Sequence, residues 1–187
     1  MAYVQMDVNS VVKYCEDIFK KKGFTDAESK DIVDVLITAD LYGIESHGVQ
    51  RLIRYYKAME EGSIDPNAKP ELIHETKLSA VYDAPKTMGQ VVAKMGMQKA
   101  IDMAKEHGFG AVCVRGSNHY GIAGYYTKMA ADADLMGICM TNTEAIMVPT
   151  FGKQAMLGTN PIAFAMPADP VAYSFDAATT VVPRGKL

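Results

Sequence analysis

His47, Arg51 and Tyr55 recur every four residues in the stretch Glu45-Ser46-His47-Gly48-Val49-Gln50-Arg51-Leu52-Ile53-Arg54-Tyr55. On a helix, at about 100° per residue, they fall in one narrow sector with Arg54 beside them. A histidine gives or takes a proton near neutral pH, and an arginine grips a carboxylate through two parallel hydrogen bonds. Such a stripe suits an organic acid. Val49, Leu52, Tyr56 and Met59 are expected on the opposite, core-facing side. The same pattern also fits a solvated helix face with a histidine near its start.

A second segment carries similar chemistry: Arg115-Gly116-Ser117-Asn118-His119-Tyr120-Gly121-Ile122-Ala123-Gly124. The apolar run Phe109 to Val114 before it reads as a buried strand, and Ile122 to Asp132 after it as a helix. Glycines let the backbone turn sharply and approach a ligand. A helix beginning there aims unpaired amides at the turn, an arrangement that favours phosphate. An ordinary strand-to-helix turn needs Ser, Asn and Gly too, but His-Tyr is an unusual filling for one.

The other two histidines lack such company. His107 lies at a helix C-terminus before a glycine, where its cation would favour the dipole, and reads as structural. His74, among Glu71 and Glu75 on an expected edge strand, reads as a solvated surface group. No His-Glu-x-x-His or paired-cysteine spacing supplies a third metal ligand, so no metal is expected. Cys15, Cys113 and Cys139 are odd in number, far apart and in apolar surroundings, and are expected as small buried hydrophobes in a reducing compartment.

With 187 residues, 49% hydrophobic, the chain has enough apolar side chains for one core and a second small lobe. A net charge of −3 leaves no basic footprint for nucleic acid. Residues 1–10 lack a signal-peptide pattern, and no apolar run approaches membrane-spanning length. The expectation is a cytoplasmic protein with neither nucleic-acid nor membrane partners.

The elements that must position these residues follow from periodicity. Val11, Val12, Cys15, Ile18 and Phe19 mark a first helix closed by Gly23. Thr25 and Glu28 form a capping box for a second, with Ile32, Val33, Leu36 and Ile37 inward and an end near Gly43. The motif helix ends at Gly62. Residues 1–70 are thus expected as a helical region ending in the Pro-containing linker 63–70, and residues 71–187 as a second domain. There, strands are expected at 72–82, 109–114, 136–142, 162–166 and 171–176, and a long helix at 88–106. The alternation indicates an α/β body. No Gly-x-Gly-x-x-Gly follows a first strand, which argues against a Rossmann site.

Ser-His-Gly-x-x-Arg-x-x-x-Tyr, the Gly-Ser-Asn-His-Tyr-Gly turn and Leu157-Gly158-Thr159-Asn160-Pro161 together resemble the type-2 malate/L-lactate dehydrogenase family. That family includes ureidoglycolate, sulfolactate and 2,3-diketogulonate oxidoreductases. The resemblance implies a helical layer plus a non-Rossmann, mostly antiparallel sheet domain that binds the cofactor. Family members are considerably longer, so this chain reads as the N-terminal part of such an enzyme, incomplete at its C-terminus.

By position, the resemblance implies a catalytic Ser46-His47 pair, a substrate-binding Arg51 with Tyr55 one turn on, and a catalytic His119 that also meets the cofactor. Either histidine remains a candidate for the acid/base. Tyr120, Gly121, Ile122, Ala123 and Thr143 match cofactor contacts. Asp176, Ala177 and Ala178 match the family's Asp-Met-Ala element, with Ala177 replacing its methionine. The implied reaction passes a hydride between NAD or NADP and a small 2-hydroxy or 2-oxo acid. The implied assembly is a homodimer. Two alternatives stay open: a partial protein that binds cofactor or dimerises without turnover, and a hydrolase using Ser46 or Ser117. The hydrolase lacks a Gly-x-Ser-x-Gly elbow.

Overall fold

The computed structural model describes residues 5–180. It divides into two compact units, each assembled from separate stretches of sequence. One comprises residues up to Thr76, Ala80–Met95 and Cys113–Gly121; the other comprises Lys77–Ser79, Gly96–Val112 and residues from Ile122 on.

The first unit is built on three helices: α1 (Val8–Lys21), α2 (Asp26–Leu41) and α3 (Leu52–Glu60). Asp7 caps α1 by accepting the Ser10 N–H at 2.8 Å. At α2 the expected capping box is complete. Thr25 Oγ1 accepts the Glu28 N–H, and the Glu28 carboxylate accepts the Thr25 N–H at 3.0 Å. A cap of this kind stabilises a helix by about 1 kcal/mol. Cys15 and Phe19 of α1 meet Ile32, Val33 and Leu36 of α2, with Phe24, Tyr55, Ile64 and Met88 closing the cluster. Burying side chains of this size contributes roughly 1.5–3 kcal/mol each. Short helices depend on such contacts, since they are marginal alone.

Three expectations for this region are corrected. Leu72 to Tyr82 is a hairpin, not one strand: β1 (Glu71–Glu75) pairs antiparallel with β2 (Ser79–Asp83), Glu71 opposite Asp83 and Glu75 opposite Ala80. The run 109–114 is no buried strand. β3 (Ala111–Arg115), which follows β2 in the sheet order β1-β2-β3, alternates exposed and half-buried residues. Cys113 lies on its exposed side, and Cys139 is half-buried, leaving Cys15 as the buried cysteine. Helix α4 (Gly89–His107) falls where a long helix was expected, and His107 closes it ahead of Gly108 at φ +82°. His74 sits exposed on the edge strand β1, as read from the sequence.

The second unit stacks helix α5 (Ala123–Ala131) on an antiparallel sheet of β4 (Gly137–Met140), β5 (Ile162–Met166) and β6 (Tyr173–Ala177). Small residues allow this packing. Ala163 and Ala165 are buried, and a Cβ at Gly137 would stand 2.7 Å from the Ala130 Cβ. The other face carries Ile138, Phe164 and Phe175 in one cross-strand row, with Phe164 and Phe175 stacked at 4.8 Å. The α/β class matches the sequence reading, and the antiparallel pairs β1–β2, β4–β5 and β5–β6 match the mostly antiparallel sheet that the resemblance implies. No helix of the described residues is long and apolar enough to cross a membrane.

Candidate active site

The opening motif is not one helix. Glu45–His47 and Val49–Arg51 form two short 3-10 turns, and α3 starts only at Leu52. Gly48 separates the turns in extended backbone, φ −86° and ψ −152°. Asp40, near the end of α2, reaches across to accept the Val49 N–H at 2.8 Å. A Cβ on residue 48 would overlap that carboxylate, which explains the glycine. The burial pattern shifts accordingly. Tyr55 is buried in the helical core, whereas Tyr56, expected inward, is exposed with the Lys22 ammonium over its ring at 4.2 Å. Val49, Leu52 and Met59 pack against the core as expected.

The Asn118-His119 turn is held from three sides within the first unit. Asn118 Nδ2 donates to the carbonyls of Ser63 and Thr87, both at 3.0 Å. Gly89 makes room for the carbonyls of Asn118 and His119, which a Cβ there would overlap. Gly121, at φ +86°, lies against Val35, where a side chain would be both strained and crowded.

These constraints bring Ser46, His47, Arg51, Tyr55 and His119 together. The two imidazoles stack with centroids 5.3 Å apart and planes 28° apart. Ser46 Oγ lies 2.9 Å from His47 Nδ1, and the Arg51 Nε–H donates to the Ser46 carbonyl at 2.5 Å. Tyr55 Oη is 2.7 Å from His119 Nδ1, which also accepts the Gly121 N–H at 3.3 Å. Burial first, then the charges of Arg51 and Arg54, hold His47 at a pKa of about 4. Burial, followed by His47 and the same arginines, holds His119 at about 3. Burial lifts the Tyr55 phenol to about 12. At neutral pH the cluster therefore offers two neutral imidazoles and a protonated phenol beside guanidinium groups. Ser46 is buried, and its hydroxyl's neighbour is the adjacent residue in sequence, a poor arrangement for a nucleophile.

In the second unit the donors at the start of α5 are already engaged. Asp176 Oδ2 accepts the Gly124 N–H at 2.7 Å, and the Ala123 N–H also points to this carboxylate. Desolvation raises the Asp176 pKa, while the two amides pull it back. A phosphate would have to displace this side chain, so the sequence-based expectation of a phosphate at the helix start does not fit. A fixed carboxylate fits hydroxyl or amide donors such as a ribose or a carboxamide presents. Thr143 Oγ1 accepts the Thr159 N–H at 2.8 Å, and the Thr143 N–H donates to Asn160 Oδ1 at 3.0 Å. Gly158 leaves room for Thr143, which a Cβ would overlap. Ala177 of β6, opposite Ile162 of β5, and Ala178 follow Asp176 at the strand's end, half-buried. Ile122 and Ala123 are buried at the start of α5, and Tyr120 is half-buried in the first unit.

Sequence reasoning did not single out Asp40, Gly89 or Gln90. Gly48 within the motif was the available signal for Asp40. Gln90 is fully buried beside Tyr55, and nothing in its sequence neighbours marks it.

Residues 6–187 match the malate/L-lactate dehydrogenase family. The chain is 44% identical over 185 residues to malate dehydrogenase of Pyrococcus abyssi, covering 99% of this chain and 51% of that protein. It is 43% identical over 171 residues to L-sulfolactate dehydrogenase of Methanocaldococcus jannaschii, covering 91% of this chain and 50% of that one. The malate dehydrogenase structure from Pyrococcus horikoshii superposes with a TM-score of 0.96 at 42% identity, over 98% of this chain and 53% of the other. The chain thus spans about half the length of the curated relatives it matches. From motif, fold and a match across nearly its whole length, the chain belongs to the malate/L-lactate dehydrogenase family.

Proposed function

We propose that the polypeptide carrying this chain is an NAD- or NADP-dependent oxidoreductase acting on a small 2-hydroxy or 2-oxo acid. The observation that carries the reading is the pair of stacked, neutral imidazoles, His47 and His119, under the influence of Arg51 and Arg54. Similar proteins named for malate and L-sulfolactate act on 2-hydroxy acids with a second anionic group. Arg51 and Arg54 together suit an acid of that charge.

Arg51 commits its Nε edge to Ser46, so it would meet a carboxylate through its terminal nitrogens. A bound carboxylate would offset the two guanidinium charges that disfavour imidazolium, raising the proton affinity of His47 when substrate is present. The histidine then takes the hydroxyl proton in oxidation and returns it in reduction. Thr143 and Asp176–Ala178, with Ala123 at the start of α5, are the second-unit residues that would hold the cofactor, Thr143 and Asp176 through exposed acceptor groups. The nicotinamide, when bound, supplies or accepts the hydride. Homodimerisation belongs to the same reading, supported by the apolar face of β4–β6, where Ile138, Met140 and Tyr173 are exposed.

Consumption of NADH or NADPH with oxaloacetate, pyruvate and related 2-oxo acids tests the proposal. Turnover is expected with at least one acid, dicarboxylates ahead of pyruvate. Arg51→Lys should lower kcat/KM by about 1–3 kcal/mol, the worth of a charge-assisted hydrogen bond. Parent-like kinetics in Arg51→Lys would remove Arg51 from the site.

A further inference from the structure

His119 Nδ1 has a neighbour that can only donate. The Gly121 main-chain N–H points at it from 3.3 Å, so Nδ1 carries a lone pair and the neutral ring's proton resides on Nε2. The Tyr55 hydroxyl, 2.7 Å from the same nitrogen, must then donate as well. Its ring lies tilted 44° to the imidazole with centroids 6.0 Å apart, and Tyr55 is 1% exposed, so water cannot compete for the phenol. Gln90 is wholly buried with neither amide oxygen nor nitrogen in a hydrogen bond, and its side chain acts on the Tyr55 phenol, favouring the phenolate against burial. A buried primary amide left loose in this way is costly unless it serves the group beside it. Gln90 is the second residue of α4, next to Gly89, whose missing side chain admits the His119 carbonyl. One helix start therefore carries both the glycine that admits the His119 carbonyl and the buried glutamine that acts on the phenol.

We propose that Tyr55 and Gln90 are positioning residues that lock His119 as the Nε2–H tautomer, making it a hydrogen-bond donor to the substrate's reacting oxygen and leaving His47 to carry the proton. The proposal rests on the dehydrogenase reading for its substrate, but not for the tautomer. A neutral ring already protonated at Nε2, with Nδ1 doubly occupied, has no site left to accept a proton. His47 is different: its Nδ1 faces a serine hydroxyl that donates or accepts equally well, so either nitrogen is available to the exchange. Tyr55 thereby acts on substrate through His119 and not by direct contact.

Long-range proton–nitrogen correlation spectra of nitrogen-15-labelled protein near neutral pH read the tautomer directly. The native protein should show His119 as Nε2–H alone; an Nδ1–H signal would overturn the proposal without any variant being made. Tyr55→Phe leaves Nδ1 with only the longer Gly121 contact, and it and Gln90→Leu should each admit a visible Nδ1–H population. In turnover with the best 2-oxo acid, both should lower kcat by on the order of 10- to 100-fold, with cofactor Kd unchanged. Gln90→Glu, protonated in its buried site and able to hydrogen-bond the phenol, should recover most of the rate lost in Gln90→Leu. Unaltered tautomer and rate in folded Tyr55→Phe would also overturn it. Failure of every 2-oxo acid to turn over would strike the dehydrogenase reading alone, because the native spectrum still decides the lock.

Discussion

The two units hold their polar groups in opposite ways. In the first, donors and acceptors from different segments are stitched together, all but the Asn118–Ser63 bond part-buried: Asp40 to Val49, Asn118 to Ser63 and Thr87, Tyr55 to His119. In the second, Thr143, Thr159 and Asn160 bond to one another on an open stretch, while Ile138, Met140 and Phe151 face outward. Groups that exchange protons need fixed geometry and a low dielectric, and the first unit supplies both. Under the proposed reading, a large ligand would meet the exposed acceptors Thr143 and Asp176 of the second unit.

His47→Ala should break the contrast most severely. A positioned acid/base contributes on the order of 10²- to 10⁴-fold, so kcat should fall by that much while cofactor binding persists. Equal turnover in steady-state assays would place the proton transfer elsewhere. Acid provides the next largest effect. His47 and His119 have folded-state pKa values of about 4 and about 3, below the unfolded value of 6.5. The unfolded chain therefore binds more protons in that window. The stability these histidines allow is fully present above about pH 6.5 and falls as pH drops toward 4, by roughly a few kcal/mol. Urea midpoints at pH 7, 5.5 and 4.5 should descend in that order, with the loss reduced in His119→Gln; a flat series would contradict the burial of these rings.

Glycine substitutions sharpen the comparison further. Gly48→Ala drives a Cβ into the Asp40 carboxylate and should cost about 1–3 kcal/mol in thermal unfolding, with activity lost alongside. Gly43→Ala, at φ +72° with nothing nearby, should cost only about 1–2 kcal/mol, all of it backbone strain, and spare kcat. Smallest of all, Thr143→Val should weaken cofactor binding by about 1 kcal/mol without moving the unfolding midpoint of the first unit. Titration of NADH fluorescence measures it, and unchanged affinity would detach Thr143 from the cofactor.

Local signals were the legible part. Thr25 and Glu28 announce α2 because the capping box is made within four residues, and the spacing of Cys15 and Phe19 reports a face that is buried. The β1–β2 hairpin was hidden because alternation from Leu72 to Tyr82 runs on through Thr76-Lys77-Leu78, which contain neither Gly nor Pro. The 3-10 break at Gly48 was hidden for another reason. The four-residue spacing of His47 and Arg51 is that of one α-helix face, and the bond that decides otherwise comes from Asp40 on another helix. The histidines were legible from their company in sequence. Gln90, which acts on Tyr55, was not, since a buried glutamine has no sequence signature and acquires its place only through packing.

The central claim is that this chain's imidazole pair serves hydride exchange with a 2-oxo acid, and isotope transfer tests it most directly. Reduced nicotinamide carrying deuterium at both C4 positions should be incubated with the protein and oxaloacetate or another 2-oxo acid, and the product examined by mass spectrometry and proton NMR. The account predicts deuterium at C2 of the hydroxy acid, lost on His47→Ala along with turnover. A protein that binds the reduced cofactor yet transfers no deuterium to any 2-oxo acid would contradict it.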